Sequence, residues 1–114
     1  MKNQTYIFFD FAGTLVKMRP ATLLVDKKQL DRLSKYFLLG IITGARKAET
    51  LNILQKLNIK DIFTTIVASD DTIYKKPDKR GFPRVNIKFY IGDTKKDELV
   101  AKNAKVTFFR INNK

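Results

Sequence analysis

Short apolar runs alternate along the chain with segments whose apolar residues recur at helical spacing. The runs are rich in β-branched and aromatic residues and are short enough to be buried strands. They predict strands at residues 5–9, 37–43, 62–68, 87–91 and 105–111. The segments with helical spacing predict helices at residues 27–36, 45–57 and 96–103. Residues 15–26 are mixed in character, and Pro77, Gly81 and Pro83 predict a loop at residues 75–84.

Strands that alternate with helices predict an α/β fold, a Rossmann-like three-layer sandwich around a mostly parallel sheet of about five strands. The nearly continuous apolar character of the strands fits a sheet that is covered on both faces. Ligands of such folds bind beyond the carboxyl ends of the strands. Asp10, Thr43 and Asp93 each stand where a predicted strand ends. We therefore expect three distant parts of the chain to converge on one site.

Composition limits both the size of the protein and its chemistry. The 114 residues suit one domain, residues 1–114, and 44% of them are hydrophobic, enough for a packed core. The sequence contains neither Cys nor His. Thiolate chemistry, the usual general base and the commonest zinc ligand are therefore excluded. Catalysis would have to use carboxylates, lysine, hydroxyls, backbone amides or a hard metal ion.

The net charge of +12 creates a field that attracts polyanions. Part of it lies in a basic loop that contains Lys75, Lys76, Lys79, Arg80 and Arg84. We attribute the excess to a general compositional bias, so nucleic acid is an allowed partner but not the favoured one. The first four residues, followed by an apolar run that Asp10 interrupts, make a poor signal peptide. We expect a cytoplasmic protein with no membrane association.

Carboxylates after two predicted strands are the first candidates for chemistry. Asp10 follows four apolar residues, where a carboxylate is costly to bury without a partner. Asp93 and Asp97 lie four residues apart and would share a face if their segment is helical. Converging carboxylates suit Mg²⁺, which prefers oxygen ligands. The alternatives are an aspartate that begins a turn and acidic residues that favour a helix N-terminus.

A hydroxyl and a lysine are candidates for binding an anion. Thr43 and Gly44 stand between a predicted strand and a predicted helix, where a hydroxyl and helix N-terminal amides can bind phosphate. Lys76 precedes Pro77 in the basic loop and could supply a compact positive charge. The alternatives are an ordinary N-cap threonine and a solvated lysine in a lysine-rich chain.

Taken together and in order, these residues resemble the four motifs of the haloacid dehalogenase (HAD) superfamily over residues 5–111. Residues 8–14, Phe-Phe-Asp-Phe-Ala-Gly-Thr, resemble the first motif, an apolar strand followed by DxDGT. Thr43 resembles the hydroxyl residue of the second motif, and Lys76 resembles the lysine of the third. Gly92, Asp93 and Asp97 are similar to the fourth motif, GDxxxD.

The resemblance implies a role for each matching residue. Asp10 would be the nucleophile that forms an aspartyl-phosphate, and Mg²⁺ would be held by Asp10, Asp93 and the backbone carbonyl of Ala12. Thr43 and Lys76 would bind and balance the phosphoryl oxygens, and Asp97 would support the metal shell or orient Lys76. The remaining phosphate contacts would come from the turn after Asp10 and from the residue after Thr43, namely Phe11, Ala12 and Gly44.

The chain departs from the family pattern at Ala12, where most phosphatases of the family have a second aspartate that acts as general acid and base. Turnover without it would be weak or slow. The segments between Asp10 and Thr43 and between Lys76 and Asp93 are too short for a helical cap domain, so we expect a capless core. A capless site would be open to solvent and would favour a phosphorylated substrate that is macromolecular, or a cap from a partner in an oligomer.

Three functions therefore stay open at the level of the sequence. The first is a Mg²⁺-dependent phosphohydrolase-like enzyme, and the second is a catalytically degenerate module that binds phosphate or metal. The third is a polyanion-binding protein that uses the basic loop.

Overall fold

A computed structural model describes residues 4–111 and contains a sheet of five parallel strands. These strands are β1 Tyr6–Asp10, β4 Leu38–Ile42, β5 Thr65–Val67, β6 Ile87–Gly92 and β7 Thr107–Arg110. Their order across the sheet is β5-β4-β1-β6-β7. The α/β, Rossmann-like architecture predicted from the pattern of apolar runs is confirmed. The central strand, β1, pairs with β4 on one side and with β6 on the other.

Three helices cover the two faces of the sheet: α1 Lys27–Ser34, α2 Lys47–Lys56 and α3 Lys95–Asn103. Each lies within two residues of a predicted helix at both ends. Leu30 of α1 and Leu54 of α2 pack with Ile7 and Phe9 of β1 on one face. Val100 of α3 packs with Phe8 and Tyr90 on the other face. Because successive side chains of a strand point to opposite faces, Phe8 and Phe9 belong to different cores.

A small antiparallel hairpin occupies the segment that the sequence pattern left without an element. Its strands are β2 Val16–Lys17 and β3 Thr22–Leu23. They are too short for any periodicity to show, and the hairpin is held to the core through the fully buried side chains of Leu15 and Val16. Within residues 4–111, the connection from β1 to β4 consists of this hairpin and α1.

The connection from β5 to β6 contains a 3₁₀ turn at Lys79–Gly81 as its one helical element. The loop predicted at residues 75–84 is thus confirmed apart from this turn. The predicted strand at 62–68 is shorter in the structure, because residues Lys60–Ile62 form another 3₁₀ turn. No helix in the described part of the chain is long and apolar enough to cross a bilayer. The expectation about a signal peptide falls partly on residues 1–3, which lie outside the described residues.

Candidate active site

Lys76 bridges two aspartates at the carboxyl edge of the sheet. Its Nζ lies 2.7 Å from Oδ1 of Asp10, at the end of β1, and 2.7 Å from Oδ1 of Asp97, in the first turn of α3. The carbonyl oxygen of Ile42, the last residue of β4, lies 3.4 Å from the same nitrogen. All three charged side chains are largely buried. The site therefore joins the ends of β1 and β4 to α3 and to the loop after β5.

Asp97 has hydrogen-bond donors at both carboxylate oxygens. Oδ1 accepts from Lys76 and from the hydroxyl of Tyr90, the latter at 2.7 Å. Oδ2 accepts from the hydroxyl of Thr94 at 2.8 Å and from the backbone amides of Asp93 and Thr94. Thr94 and Asp97 form a capping box at the start of α3. With this many partners, Asp97 is fixed in place and holds Lys76 in turn.

Asp93 lies before α3 and not within it, because Thr94 is the N-cap residue. The condition under which Asp93 and Asp97 would share a helix face, a helical segment from 93 to 97, is therefore not met. The two residues meet in another way: the backbone amide of Asp93 donates to Oδ2 of Asp97 at 3.3 Å. This leaves the Asp93 side chain directed toward the turn that follows Asp10, where the hydroxyl of Thr14 lies 3.3 Å from its Oδ1.

Gly13 allows Asp93 to come this close. Gly13 has φ +87°, a conformation that other residues rarely adopt, and a Cβ placed on it would lie 2.2 Å from Oδ2 of Asp93. Ligand oxygens of Asp10, Asp93 and Asp97 consequently all lie within 4.8 Å of one another. Such a set of oxygen donors suits a hard cation such as Mg²⁺. Since Asp97 already accepts bonds at both oxygens, Asp10 and Asp93 are the better placed ligands.

The electrostatics of the cluster also favour an added cation. Burial raises the pKa of the Asp10 carboxyl to about 7, against the charge of Lys76, and Asp97 adds to the rise. Burial acts in the same direction on Asp97, but the charge of Lys76 and the accepted hydrogen bonds outweigh it and hold the pKa of Asp97 below its usual value. A second positive charge near Asp10 would compensate its carboxylate, which Lys76 alone does not.

Asp10, Thr43, Gly44, Lys76 and Asp97 line one cleft of about 280 Å³. Thr43 is buried, and its Oγ1 accepts a hydrogen bond from the amide of Ala45 at 3.1 Å. It is not the N-cap of α2, because that position belongs to Arg46. The hydroxyl therefore remains beside the cleft, separated from the helix by a short turn.

The two residues after Asp10 differ sharply in exposure. The side chain of Phe11 is fully buried in the core, so any contact with an anion would come from its backbone. Ala12 is exposed and presents only a methyl group beside Asp10. A group that could deliver or accept a proton is therefore missing at this position.

Asp70 and Asp71, which follow β5, serve the fold at the start of α2. Oδ1 of Asp70 accepts from the backbone amide of Lys47 at 2.8 Å. Asp71 is ion-paired with the side chain of Lys47 at 2.7 Å and accepts from the amide of Ala68. Neither residue lines the cleft.

Sequence reasoning missed the role of Tyr90. This tyrosine lies in the middle of β6, its side chain is fully buried, and its ring centroid is 5.4 Å from Nζ of Lys76. Burial, together with the nearby Asp97 and Asp10, raises its pKa, so that the phenol stays protonated and donates to Asp97. A hydroxyl in a largely apolar strand was the one available signal, because a buried tyrosine needs a partner.

Comparison with known proteins gives a family and a fold. Residues 26–111 match the model of the family described as haloacid dehalogenase-like hydrolase. A hydrolase from Streptococcus pneumoniae TIGR4 is similar in structure over 98% of this chain and 94% of its own, with a TM-score of 0.82 and 16% identity. A HAD-superfamily hydrolase from Ehrlichia chaffeensis is similar over 96% of this chain and 92% of its own, with a TM-score of 0.77 and 15% identity.

Phosphatase Tt82 from Thermococcus thioreducens is 29% identical over 81% of this chain, with a TM-score of 0.70. The present chain covers 40% of the length of that phosphatase. No curated protein matches the chain. The residues matched by the family model begin after Asp10, so the place of Asp10 in the site rests on the geometry.

Proposed function

The chain belongs to the haloacid dehalogenase-like hydrolase family, and from this premise we propose that it is a Mg²⁺-dependent phosphohydrolase-like enzyme that acts through an aspartyl-phosphate on Asp10. One observation carries the proposal: the Asp10 carboxylate ends the central strand with Lys76 2.7 Å away and a carboxylate oxygen of Asp93 within 4.8 Å. In this proposal Asp10 is the nucleophile, Lys76 the cation that binds phosphate and Asp93 a metal ligand, and their closeness supports it.

The donor set fits a magnesium ion. Asp10, Asp93 and the backbone carbonyl of Ala12 would hold it, with water in the remaining positions. When bound, the ion would neutralise charge on the phosphoryl group and orient it toward Asp10. Lys76 and the hydroxyl of Thr43 would bind phosphoryl oxygens, and backbone amides of the turn after Asp10 and at Gly44 would add hydrogen bonds. Asp97 would act on Lys76 and not on the metal, because both its oxygens are engaged.

Two displacements would complete the reaction. In the first, a carboxylate oxygen of Asp10 attacks phosphorus, the ester P–O bond breaks, and its electron pair leaves on the departing oxygen, which takes a proton from solvent. In the second, water attacks the same phosphorus and the Asp10–phosphorus bond breaks. This step restores the carboxylate and releases inorganic phosphate and a proton. Both steps lack a positioned proton carrier, because residue 12 is alanine.

Ala12 also favours a second candidate function, a module that binds phosphate or metal without turning over substrate. The two candidates share the same site and differ in whether Asp10 is ever phosphorylated. The presence of Asp10, Thr43, Lys76 and Asp93 together favours the enzyme, because a degenerate module would be free to lose some of them.

The substrate class that we propose is a phosphate monoester. The short connections on either side of the site, within residues 4–111, support a single capless core domain. A site of this kind is open to solvent and could accept a phosphate carried on a large molecule.

The test is a screen of phosphorylated compounds, from acetyl and aryl phosphates to metabolites, with and without Mg²⁺. We expect phosphate release from the activated compounds that requires Mg²⁺ and is lost in Asp10→Asn. Trapping of a phosphorylated wild-type protein, with the phosphate located on Asp10 by peptide mapping, would establish the intermediate. Mg²⁺ binding without phosphorylation by any compound would favour the binding module.

A further inference from the structure

The positive charge of the protein is concentrated in its last third. Residues 75–110 contain eleven Lys and Arg against four Asp and Glu, a net charge of +7. Residues 4–74 contain ten against seven, a net charge of +3. Two of the four acidic residues at 75–110 are Asp93 and Asp97, which belong to the candidate active site. A general compositional bias does not account for this distribution.

Four of these eleven cations line one open groove beside the loop that follows β5. The groove has a volume of about 760 Å³, and its cationic lining residues are Lys79, Arg80, Arg84 and Lys105. No carboxylate is among the residues that line it. Of the four cations, Arg80 alone is ion-paired within the described residues, with Asp78 at 2.7 Å. The groove therefore offers an anion several uncompensated charges.

The groove adjoins the catalytic cleft. Tyr74 and Phe82 line both of them, so the two cavities share a border at these side chains. The ring of Phe82 packs edge-on against Tyr90, whose own ring lies next to Lys76. On the cleft side, the lining continues the basic character with Lys75 and Lys96. Cationic side chains thus line both the groove and the cleft that holds the candidate nucleophile, and Asp78, which also lines the cleft, is ion-paired with Arg80.

Apolar and aromatic side chains lie between the cations of the groove. They are Tyr74, Phe82, Pro83, Val85, Ile87 and Val106. Cations that track a backbone, combined with flat or apolar surfaces that can take bases, are typical of sites for single-stranded nucleic acid. An acidic peptide would use the charges but has no bases for the apolar surfaces. A duplex keeps its bases stacked inside and would leave those surfaces unused.

We propose that this groove binds single-stranded nucleic acid and leads a terminal phosphate of the strand into the catalytic cleft. The second half of the statement rests on the proposed function, whereas the first half does not. The groove would supply affinity through the phosphates of the strand, and the cleft would act on the phosphate at its end. The short connections that flank the site within residues 4–111 suit this proposal, because a strand in the groove needs an open path to Asp10.

Binding is measured without Mg²⁺, so that no turnover is involved. A fluorescent single-stranded oligonucleotide of about 12 nucleotides, within the range of known site sizes, is titrated with the full chain, and anisotropy is followed at several salt concentrations. The groove variant carries Lys79→Gln, Arg84→Gln and Lys105→Asn. The control variant removes three exposed cations on the opposite face of the sheet, with Lys27→Gln, Lys28→Gln and Lys35→Gln.

We expect the groove variant to bind the oligonucleotide at least about tenfold more weakly than the wild type at about 50 mM salt. The slope of log affinity against log salt should be smaller in magnitude by about 2, because the variant loses three phosphate contacts and each contributes about 0.7 to the slope. The control variant should keep the slope and most of the affinity. Equal losses in the two variants would overturn the proposal, because the protein would then attract the strand only through its overall charge. Equal binding of poly-glutamate or of a duplex would overturn the choice of single-stranded nucleic acid.

Activity then tests the link to the cleft. With Mg²⁺, the wild type should release phosphate from a 5′- or 3′-phosphorylated oligonucleotide, and the groove variant should raise KM for that substrate while leaving turnover of an aryl phosphate unchanged. Binding of the strand with turnover of the aryl phosphate alone would overturn the link but not the proposed function. Binding of the strand without turnover of either substrate would instead contradict the proposed function and leave the groove standing.

Discussion

At the scale of single residues, the alanine at position 12 gives the proposed reaction its sharpest test. Ala12 is exposed beside Asp10, so a larger side chain could be placed there without disturbing the core. A positioned acid–base group contributes to both displacements, first by protonating the leaving group and then by activating water. Substrates with good leaving groups need the first contribution least. The wild type should therefore phosphorylate Asp10 from an activated substrate and hydrolyse the product slowly.

Ala12→Asp should speed steady turnover of an aryl phosphate by about ten- to a thousandfold, because positioned acid–base groups contribute about 10²–10⁴. Rapid-quench kinetics should show a burst in the wild type that is reduced or absent in the variant. A wild type that rapidly hydrolyses a phosphate ester with a poor leaving group, and is not improved by Ala12→Asp, would mean that another residue supplies the proton.

Tyr90→Phe should lower kcat by about three- to tenfold with little change in KM. The variant removes the hydrogen bond from Tyr90 to the charged Asp97, so that Asp97 positions Lys76 less well. The pH profile should also shift, since the charged form of Asp97 loses a donor. Tyr6→Phe is the matched control, because Tyr6 is also a tyrosine in a strand of the sheet. Its hydroxyl forms a 2.8 Å hydrogen bond with the hydroxyl of Thr65, and this pair lies outside the site. Equal kinetic effects in the two variants would assign Tyr90 a structural role alone.

At the scale of elements, helix α2 depends on residues outside itself for its N-terminal cap. Its N-cap residue, Arg46, forms no side-chain cap. The carboxylate of Asp70 accepts from the amide of Lys47 instead. Asp71 binds the side chain of the same lysine and the amide of Ala68. These contacts attach the loop after β5, which lines the cleft, to the first turn of the helix after β4.

Asp70→Ala should lower the free energy of unfolding by about 0.5–1 kcal/mol, the usual cost of removing a helix cap. Asp70→Asn keeps an oxygen that can accept the same hydrogen bond, so it should retain most of the stability. Urea denaturation of the two variants beside the wild type makes the measurement. A loss of equal size in both would show that charge, and not capping, is the contribution of Asp70.

Asp71 makes the stability of the same junction depend on pH. The hydrogen bond from Lys47 is the main cause that lowers the pKa of Asp71 in the folded protein. A lowered folded pKa means that the contribution is present above the unfolded pKa of about 3.9 and is lost as pH falls through the folded value. Because the pair is partly exposed, Asp71→Asn should cost only about 0.5 kcal/mol at neutral pH.

The measurement for Asp71 is urea denaturation of wild type and Asp71→Asn at about pH 7 and about pH 3, since linkage makes the difference between them fade as the carboxyl is protonated. A difference that stays constant over this range would indicate that the carboxylate charge contributes nothing.

At the scale of the whole molecule, ion binding and folding stability are linked. A ligand that binds only the folded chain stabilises it by mass action, by about 2.7 kcal/mol at one hundred times its Kd. A gain of 1 kcal/mol in the free energy of unfolding raises Tm by about 4–8 °C in domains of 60–100 residues. The shift should be of similar size in this chain of 114 residues. The convergent carboxylates of Asp10 and Asp93 should therefore make the protein sensitive to Mg²⁺.

Addition of Mg²⁺ should raise the Tm of the wild type by several degrees, and Asp93→Ala should abolish the rise, because it removes a ligand that Asp10 cannot replace. Asp61→Ala, which changes an exposed aspartate outside the site, is the control for charge. Scanning calorimetry over a range of Mg²⁺ concentrations gives the apparent affinity. A rise of equal size in Asp93→Ala would place the ion elsewhere.

The order of apolar and polar residues determined the layered α/β fold and the ends of most elements. Apolar runs and helical spacing are local properties, and burial on both faces of a parallel sheet requires them wherever such a strand occurs. The same logic placed Asp10, Thr43 and Asp93 at strand ends, where the sheet brings them to one edge. The hairpin at Val16–Lys17 and Thr22–Leu23 escaped prediction because two-residue strands are too short to display a period.

Only the tertiary structure decided how these residues act on one another. Lys76 and Asp10 are 66 positions apart in the chain, and no local pattern relates them. Packing also decides which side chains face each other. It sets the hydrogen-bond partners of Asp97, the position of Asp93 before α3 and the hydrogen bond from Tyr90 to Asp97. The basic groove arises in the same way, because its cations come from the loop after β5 and from the turn between α3 and β7. Sequence specifies which groups are available, whereas distances between groups far apart in the chain exist only once the core has closed.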